Sequence, residues 1–321
     1  MDCLVTGGAG FIGSNLVDAL IARGDRVTVI DDLSTGKRAN LERARAHGTR
    51  FNLEVADVRD QRAMHEIFAV SSPEVVFHLA AQIDVRRSVE DPAADAIANV
   101  VGTIAVLQAA FAAGVRRVLY SSTGGGLYGE ADVLPTPEEH PVRPLAPYGQ
   151  GKHAAEGYCE LYSRLHRLST LSLRYGNVYG PRQDVHGEAG VVAIFCGCLA
   201  DGRAPIVYGD GRQTRDWVNV ADVVRANLLA ADGGELTGAL NIAGGTETSV
   251  LRLIEALEAL GAGRLPDPVF APARPGEVRR SCLDVSRAQR KLGWQARVGL
   301  HEGLEEILAP VGADSGTIPA R

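Results

Sequence analysis

The first 32 residues leave few folds open to this chain. Asp2-Cys3-Leu4-Val5-Thr6 is a short apolar run that reads as a buried strand. Gly7-Gly8-Ala9-Gly10-Phe11-Ile12-Gly13 follows, then a helical pattern through Leu16, Val17, Leu20 and Ile21 that Gly24 ends. Residues 26–30 (Arg-Val-Thr-Val-Ile) form a second strand, closed by Asp31-Asp32. Strand, glycine turn, helix, strand and acid, in that order, make a dinucleotide-binding unit. One glycine permits the tight turn, one lets a pyrophosphate approach the backbone, and one lets helix pack on strand. Free N–H groups at the helix start then face the phosphates. Asp31 follows Gly10 by 21 residues, where a carboxylate accepts from the adenosine ribose hydroxyls. The same carboxylate repels a 2′-phosphate, so NAD is expected rather than NADP.

Strand and helix go on alternating. Val75-Val76-Phe77-His78-Leu79-Ala80-Ala81 is an apolar strand entering a turn of small residues, and residues 92–113 read as one long Ala-rich helix. Arg117 to Ser122 is a further strand, 149–166 a helix, and Thr170 to Tyr175 the next strand. Such alternation predicts an α/β fold, a Rossmann-like doubly wound parallel sheet covered on both faces. After about residue 176 the pattern loosens, and Leu240-Asn241-Ile242-Ala243 reads as a strand returning to the sheet. The expected division is a nucleotide-binding part, 1–176 with a return strand near 239–243, and a smaller, interleaved substrate lobe over 177–321, frayed from about Gly312.

Composition removes several function classes. With 45% hydrophobic and 22% charged residues over 321, the chain is that of a globular protein. A net charge of −6 and scattered Lys and Arg give no basic patch for nucleic acid. No apolar run approaches the roughly 20 residues of a membrane span, and no basic-then-apolar leader is visible, so a cytoplasmic protein is expected. The five cysteines (Cys3, Cys159, Cys196, Cys198, Cys282) have no zinc-ligand spacing, read as reduced thiols, and predict no metal site.

Tyr148-Gly149-Gln150-Gly151-Lys152 carries the chemistry. Positions four apart share one helix face. A lysine ammonium beside a tyrosine hydroxyl favours the phenolate and lowers the phenol from its reference of about 10 toward working pH, which makes a usable base. By spacing alone, the pair reads equally as part of a surface helix.

Around this pair the chain resembles the extended short-chain dehydrogenase/reductases, and within them most the UDP-glucose 4-epimerase family. The motifs that carry the resemblance are Thr6 to Gly13, His78-Leu79-Ala80-Ala81, Asn99-Val100-Val101-Gly102-Thr103, Ser121-Ser122-Thr123, Tyr148 with Lys152, and Arg174-Tyr175-Gly176-Asn177-Val178-Tyr179-Gly180-Pro181-Arg182. It runs from residue 1 to about 305. The resemblance implies C4 epimerisation of a UDP-hexose through a transient 4-keto sugar, with NAD held tightly and recycled. Tyr148 would be the base, Thr123 would hydrogen-bond the same sugar hydroxyl, and Lys152 would bridge tyrosine and nicotinamide ribose. Gly7, Gly10, Phe11, Ile12 and Gly13 would receive the pyrophosphate, flanked by Leu79, Ala80 and Ala81. Asp31, Asp32, Ser34 and Thr35 would contact the adenosine half, and Asp57 and Val58 would flank adenine. Tyr175 belongs to the same cofactor set. So does Asn99, which reads equally as a support behind the site. Gln82 stands where some members hold a lysine.

For the UDP-sugar, the resemblance implies Asn177, the backbone near Val191, Tyr208 beside the uracil, Arg215 and Arg274 clamping the diphosphate, and Glu277 accepting from the uridine ribose. Ser281 falls where the family places a residue whose bulk limits the sugar pocket, and a serine there admits N-acetylated sugars. Gly124, Gly125 and Gly126 follow Thr123 near the expected C5/C6 end. Their bare N–H groups could receive a carboxylate, so a UDP-glucuronate 4-epimerase is the alternative; the stretch reads equally as a flexible loop. Related 4,6-dehydratases carry an Asp-Glu pair after the threonine, and related decarboxylases a Glu. Gly124-Gly125 replaces both, which favours simple epimerisation. A non-catalytic NAD-sensing protein on the same fold would lack the Tyr-Lys pair. Family members often pair as homodimers through the 92–113 and 149–166 helices, whose apolar faces could equally cover the sheet.

Overall fold

The computed structural model describes residues 1–184, 190–234, 236–260, 266–274 and 277–309. The tail expected to fray lies outside them. Seven apolar runs form one sheet: β1 (Asp2–Thr6), β2 (Arg26–Ile30), β3 (Phe51–Glu54), β4 (Val75–His78), β5 (Arg117–Thr123), β6 (Ser169–Tyr175) and β10 (Gly238–Ile242). Their order is β10-β6-β5-β4-β1-β2-β3, and every neighbouring pair is parallel. The chain runs outward from β1 through β2 to β3, then returns to β4 on the other side. The carboxyl ends of β1 and β4 therefore flank the switch point, where open α/β sheets bind ligands.

Successive side chains of a strand face opposite layers, and the core divides accordingly. Val5, Val29, Phe77 and Leu119 pack on one face with the helices Phe11–Arg23 and Val220–Asp232 and with Trp294. Leu4, Ile30, Val76 and Val118 pack on the other, under the helices Gln61–Ser71, Gly102–Ala112 and Pro147–His166. The first helix ends, as expected, at Gly24, whose φ of 97° is left-handed.

The remaining strands are β7 (Asn177–Tyr179), β8 (Ile206–Tyr208), β9 (Thr214–Asn219), β11 (Glu247–Ser249) and β12 (Val269–Ala271). They form a three-stranded sheet, β11-β9-β7, and a parallel β12-β8 pair. A third core gathers Tyr179, Phe195, Trp217, Leu253, Leu257 and Leu304. It joins the helices Val191–Asp201, Val250–Leu260 and Leu300–Leu308 to this sheet.

Two expectations need correction. The 92–113 segment is not a uniform helix, because Ile97–Val101 is a π-helical turn between α-helical Pro92–Ala96 and Gly102–Ala112. π-turns recur at functional sites. The Thr103 hydroxyl donates to the Asn99 carbonyl here at 2.7 Å. The same 21-residue stretch, Pro92–Ala112, is also long and apolar enough by composition to cross a membrane. Half of it is buried inside the fold, and it carries the buried Asp95, so its apolar character serves the core. All five cysteines are buried and unpaired.

Candidate active site

The glycine turn at the end of β1 is shaped by contacts only glycine permits. Gly7 has φ 68°, and a Cβ there would lie 2.7 Å from the Ala80 nitrogen. A Cβ on Gly13 would lie 2.1 Å from the Gly7 oxygen. Strand end, turn and helix therefore close on one another. The helix Phe11–Arg23 starts with no side-chain cap and no acid in its first turn, unlike the helices capped by Asp60, Asp84 and Asn219. Its first N–H groups are left for an anion.

Asp31, at the end of β2, is 7% exposed. It accepts from Ala9 N and Leu33 N, each at 2.9 Å, which braces the turn. Burial raises its pKa against those two bonds. A carboxylate offers about four acceptor positions, so capacity remains for ribose hydroxyls. Asp32 accepts from Ser34 N and Ser34 Oγ at 2.9 and 2.6 Å. Thr35 follows Ser34 in the same bend. Asp57 is held by Arg59, whose hydrogen bonds lower its pKa, and Val58 packs toward Gly102. Leu79 N and Ala80 N both donate to Thr6 Oγ1 at 3.2 Å, which sets Ala80 and Ala81 beside the turn. An uncapped helix start, a glycine cradle and a carboxylate with spare acceptors together fit NAD.

Tyr148 lies in the first turn of the helix Pro147–His166, which starts two residues earlier than the pattern suggested. Thr123 ends β5, and its side chain and the Tyr148 ring both border Gly126, where a Cβ would lie 3.5 Å from Thr123 Oγ1 and 3.7 Å from Tyr148 Cδ1. Lys152 is 3% exposed, and its Nζ donates to Ser121 O at 2.9 Å, with the Tyr120 ring centroid 4.9 Å away. The expected lowering of the tyrosine is absent from the protein alone. Burial, then the charge of Asp95, pushes Tyr148 up to about 12, and only Thr123 pulls it down. Burial pushes Lys152 down to about 8, opposed by Asp95, Glu156 and Cys159. Desolvation thus outweighs the pairing that sequence spacing suggested.

Behind the pair, Asn99 Oδ1 accepts from Gln82 N at 2.9 Å, and Asn99 Nδ2 donates to Gln82 O at 2.9 Å and to Asp95 Oδ1 at 3.0 Å. Gln82 donates from Nε2 to Asp84 O and Asp95 Oδ1, and accepts from Asp84 N on Oε1. Both ends of its amide are engaged within the protein. Tyr175 is buried, and its hydroxyl accepts from Asn227 at 2.8 Å. Asp95 and Leu283 were missed in the sequence. An acid inside an Ala-rich apolar helix was a readable signal for the first; nothing local announced the second.

The glycines after Thr123 are not an open row of donors. Gly124 N donates to Tyr175 O at 2.7 Å, and Gly126 N to Thr123 Oγ1 at 3.1 Å. A Cβ on Gly124 would lie 2.3 Å from Leu283 Cδ1, and one on Gly125 3.3 Å from Asn177 Oδ1. Gly124 is therefore a packing glycine that lets Leu283 close over the end of β5.

On the other side stand the residues assigned to the nucleotide sugar. Arg215 donates to Thr214 O and Val278 O at 2.8 and 2.7 Å and lies 3.8 Å from Glu277. Arg274 lies 3.7 Å from the same carboxylate and stacks 3.6 Å over the Tyr208 ring. Pro275 and Gly276 between them lie outside the described residues. Val191 opens a helix whose N-cap, Gly190, offers no side chain. Ser281 is buried next to Cys282 and Leu283.

Comparison with known proteins identifies the family. The NAD dependent epimerase/dehydratase family matches residues 3–243. A UDP-glucose 4-epimerase of Mycolicibacterium smegmatis is 49% identical over 312 residues, covering 96% of this chain and 97% of its own. The crystal structure of UDP-glucose 4-epimerase from Thermotoga maritima with UDP-glucose superposes with a TM-score of 0.91 at 46% identity, over 96% of this chain and 97% of that one. The Thermus thermophilus UDP-glucose 4-epimerase complex with NAD gives 0.88 at 40% identity, over 95% and 97%. With its parallel Rossmann-type sheet, its glycine cradle and its Tyr148, Lys152 and Thr123 constellation, this chain belongs to the NAD-dependent epimerase/dehydratase family.

Proposed function

We infer that this protein is a nucleotide-sugar 4-epimerase that interconverts UDP-glucose and UDP-galactose through a transient 4-keto sugar. The observation that carries the reading is that Thr123 and Tyr148 meet around Gly126 beside buried Lys152, with no acid at Gly124 or Gly125 to eliminate water. Bound NAD supplies the site to which the C4 hydride goes and from which it returns. Tyr148 takes the proton of the C4 hydroxyl and gives it back when the ketone is reduced. Thr123 orients that hydroxyl, and Lys152, fixed on Ser121 O, bridges the tyrosine and the nicotinamide ribose. Arg215 and Arg274 take the diphosphate, exchanging their loose contact with Glu277 for charge-assisted hydrogen bonds. Glu277 is then left for the uridine ribose, with Tyr208 by the uracil and Asn177 and Val191 lining the same path. The cofactor set is the glycine turn, Asp31, Asp32, Ser34, Thr35, Asp57, Val58, Leu79, Ala80, Ala81 and Tyr175, with Asn99 and Gln82 acting from behind through their mutual hydrogen bonds. Residues 1–176 with β10 form the nucleotide part, and 177–321 mainly the substrate part, although Val220–Asp232 and Trp294 pack on the nucleotide sheet.

The uronate alternative loses its support, since two of the three glycine N–H groups it needs are already engaged. We also propose a homodimer built on the helices of 92–112 and 147–166, where Ile97, Val101, Phe111, Tyr158 and Leu165 are exposed. Unpaired thiols at all five cysteines suit a reducing, cytoplasmic setting. Incubating the pure protein with UDP-glucose, UDP-galactose, their N-acetyl forms and the uronates, and following C4 configuration by NMR, tests the function. Interconversion of the glucose and galactose forms is expected. Conversion of none of these sugars would remove the reading.

A further inference from the structure

Lys152 is a buried cation with no carboxylate in contact among the described residues. Its Nζ meets a carbonyl and a ring face. Glu156, one turn further along the same helix, is matched already: its oxygens accept from Arg174 Nε at 3.0 Å and from Arg174 Nη2 at 2.7 Å. The other acid that acts on Lys152 is Asp95, 2% exposed, in the helix Pro92–Ala96. Asp95 Oδ1 accepts from Gln82 and Asn99, both neutral amides. Asp95 Oδ2 is buried and has no hydrogen-bond partner. It lies against Gly151, where a Cβ would come within 3.0 Å of it. Gly151 immediately precedes Lys152 and sits three residues after Tyr148. A buried acceptor without a donor is unfavourable. Support of Gln82 and Asn99 accounts for Oδ1 and leaves Oδ2 unexplained.

We propose that Asp95 is a positioning residue: the buried counter-charge of Lys152, set across Gly151, which keeps the lysine an ammonium and sets the pH at which Tyr148 ionises. The proposal rests on the functional reading only in taking Tyr148 as the base. One negative charge acts on the two members with opposite consequences. It favours the charged form of Lys152 against burial and opposes that of Tyr148 together with burial, while burial raises Asp95 itself against Gln82, Lys152 and Asn99. The other ionisable groups around the pair do not supply this charge. His78, on β4, is pushed down to about 3 and is neutral. Burial raises Tyr120 on β5 and Cys159 on the long helix, so both stay protonated. Glu156 and Arg174 cancel each other.

Asp95→Asn keeps the shape and one acceptor while removing the charge. The readout is the tyrosinate absorbance of the full-length protein minus that of its Tyr148→Phe variant, followed against pH in both backgrounds. This measures Tyr148 whether or not any sugar is turned over. The Tyr148 transition should move to lower pH in Asp95→Asn, and the acid limb of kcat/KM should move with it. An unmoved or raised transition in the folded variant, with a rate lowered evenly at every pH, would make Asp95 merely structural and overturn the proposal. Should Asp95→Asn fail to fold, Gly151→Ala, which favours the helix, crowds Oδ2 away from the pair. It should shift Tyr148 in the same direction by less, and no shift there overturns the proposal too. A moved transition in a protein that epimerises nothing would retain Asp95 as counter-charge and reject the functional reading alone.

Discussion

On the sheet side of the site, Thr123, Lys152, Asn99 and Gln82 are held by hydrogen bonds of 2.6–3.1 Å, and the residues behind them are buried. On the other side, Arg215, Arg274 and Glu277 meet at 3.7–3.8 Å and remain 17–34% exposed. The guanidinium groups are aimed by carbonyls and by the Tyr208 ring, yet their charges are only loosely paired. Under the proposed function, the two regions answer to different demands. Proton transfer needs fixed geometry in a dry place, and capture of a diphosphate needs cations whose present partner is easily exchanged. A tight buried pair such as Arg174–Glu156 could not serve the second purpose, because opening it leaves an uncompensated charge.

The contrast can be broken at either end. Tyr148→Phe should lower kcat by about 10²–10⁴-fold or more, with an unchanged circular dichroism spectrum and little change in KM. A near-normal rate would remove the sheet side from the chemistry. Next comes Asp216, fully buried on β9, which accepts from Leu283 N at 2.9 Å and Gly245 N at 3.0 Å and so ties the two sides together. Burial pushes it up to about 6. Its unfolded value is about 3.9. The native state therefore binds this proton more tightly, and the stability Asp216 contributes is greatest below about pH 4 and is lost as pH rises through about 6. The total is roughly 3 kcal/mol. Urea unfolding of wild type and Asp216→Asn from acid to neutral pH should show this slope in the wild type alone; equal slopes would dismiss the assignment.

Arg215→Ala should raise KM for the UDP-sugar about 10- to 100-fold, as for a charge-assisted hydrogen bond of about 1.5–3 kcal/mol, with a much smaller change in kcat. A fall in kcat at constant KM would mean that this region too is built for chemistry. The smallest effect is expected at the seam. Gly124→Asp must push Leu283 aside and should cost about 1–2 kcal/mol without creating water elimination. In a Leu283→Ala background the same substitution should cost less, as a double-mutant cycle would read; additive costs would show that the two do not meet.

Legibility followed the range of the interactions. The strand–turn–helix unit at the N-terminus, the alternation after it and the return of β10 were readable because apolar periodicity and glycine chemistry are local. The π-turn at Ile97–Val101 was not, since the Asn99, Gln82 and Asp95 network that surrounds it joins residues up to 17 apart. Nor was the place of Val220–Asp232 and Trp294, which fill the core behind the first helix although they lie far along the chain. In the site, the residue types at 123, 148, 152, 215, 274 and 277 were readable by motif. Their electrostatics were not, and the Tyr-Lys spacing pointed the wrong way for Tyr148 in the protein alone.

The sequence by itself determined the sheet, the glycine cradle, the acid Asp31 at the end of β2, and the absence of an acid after Thr123. Each of these follows from residue type and near-neighbour spacing. Only the tertiary structure decided that Gly124 and Gly126 have engaged their N–H groups, that Leu283 fills the space beside Gly124, and that Asp95 Oδ2 stands against Gly151 without a hydrogen-bond partner. Those outcomes depend on desolvation and on contacts between distant segments, which exist only once the chain has folded.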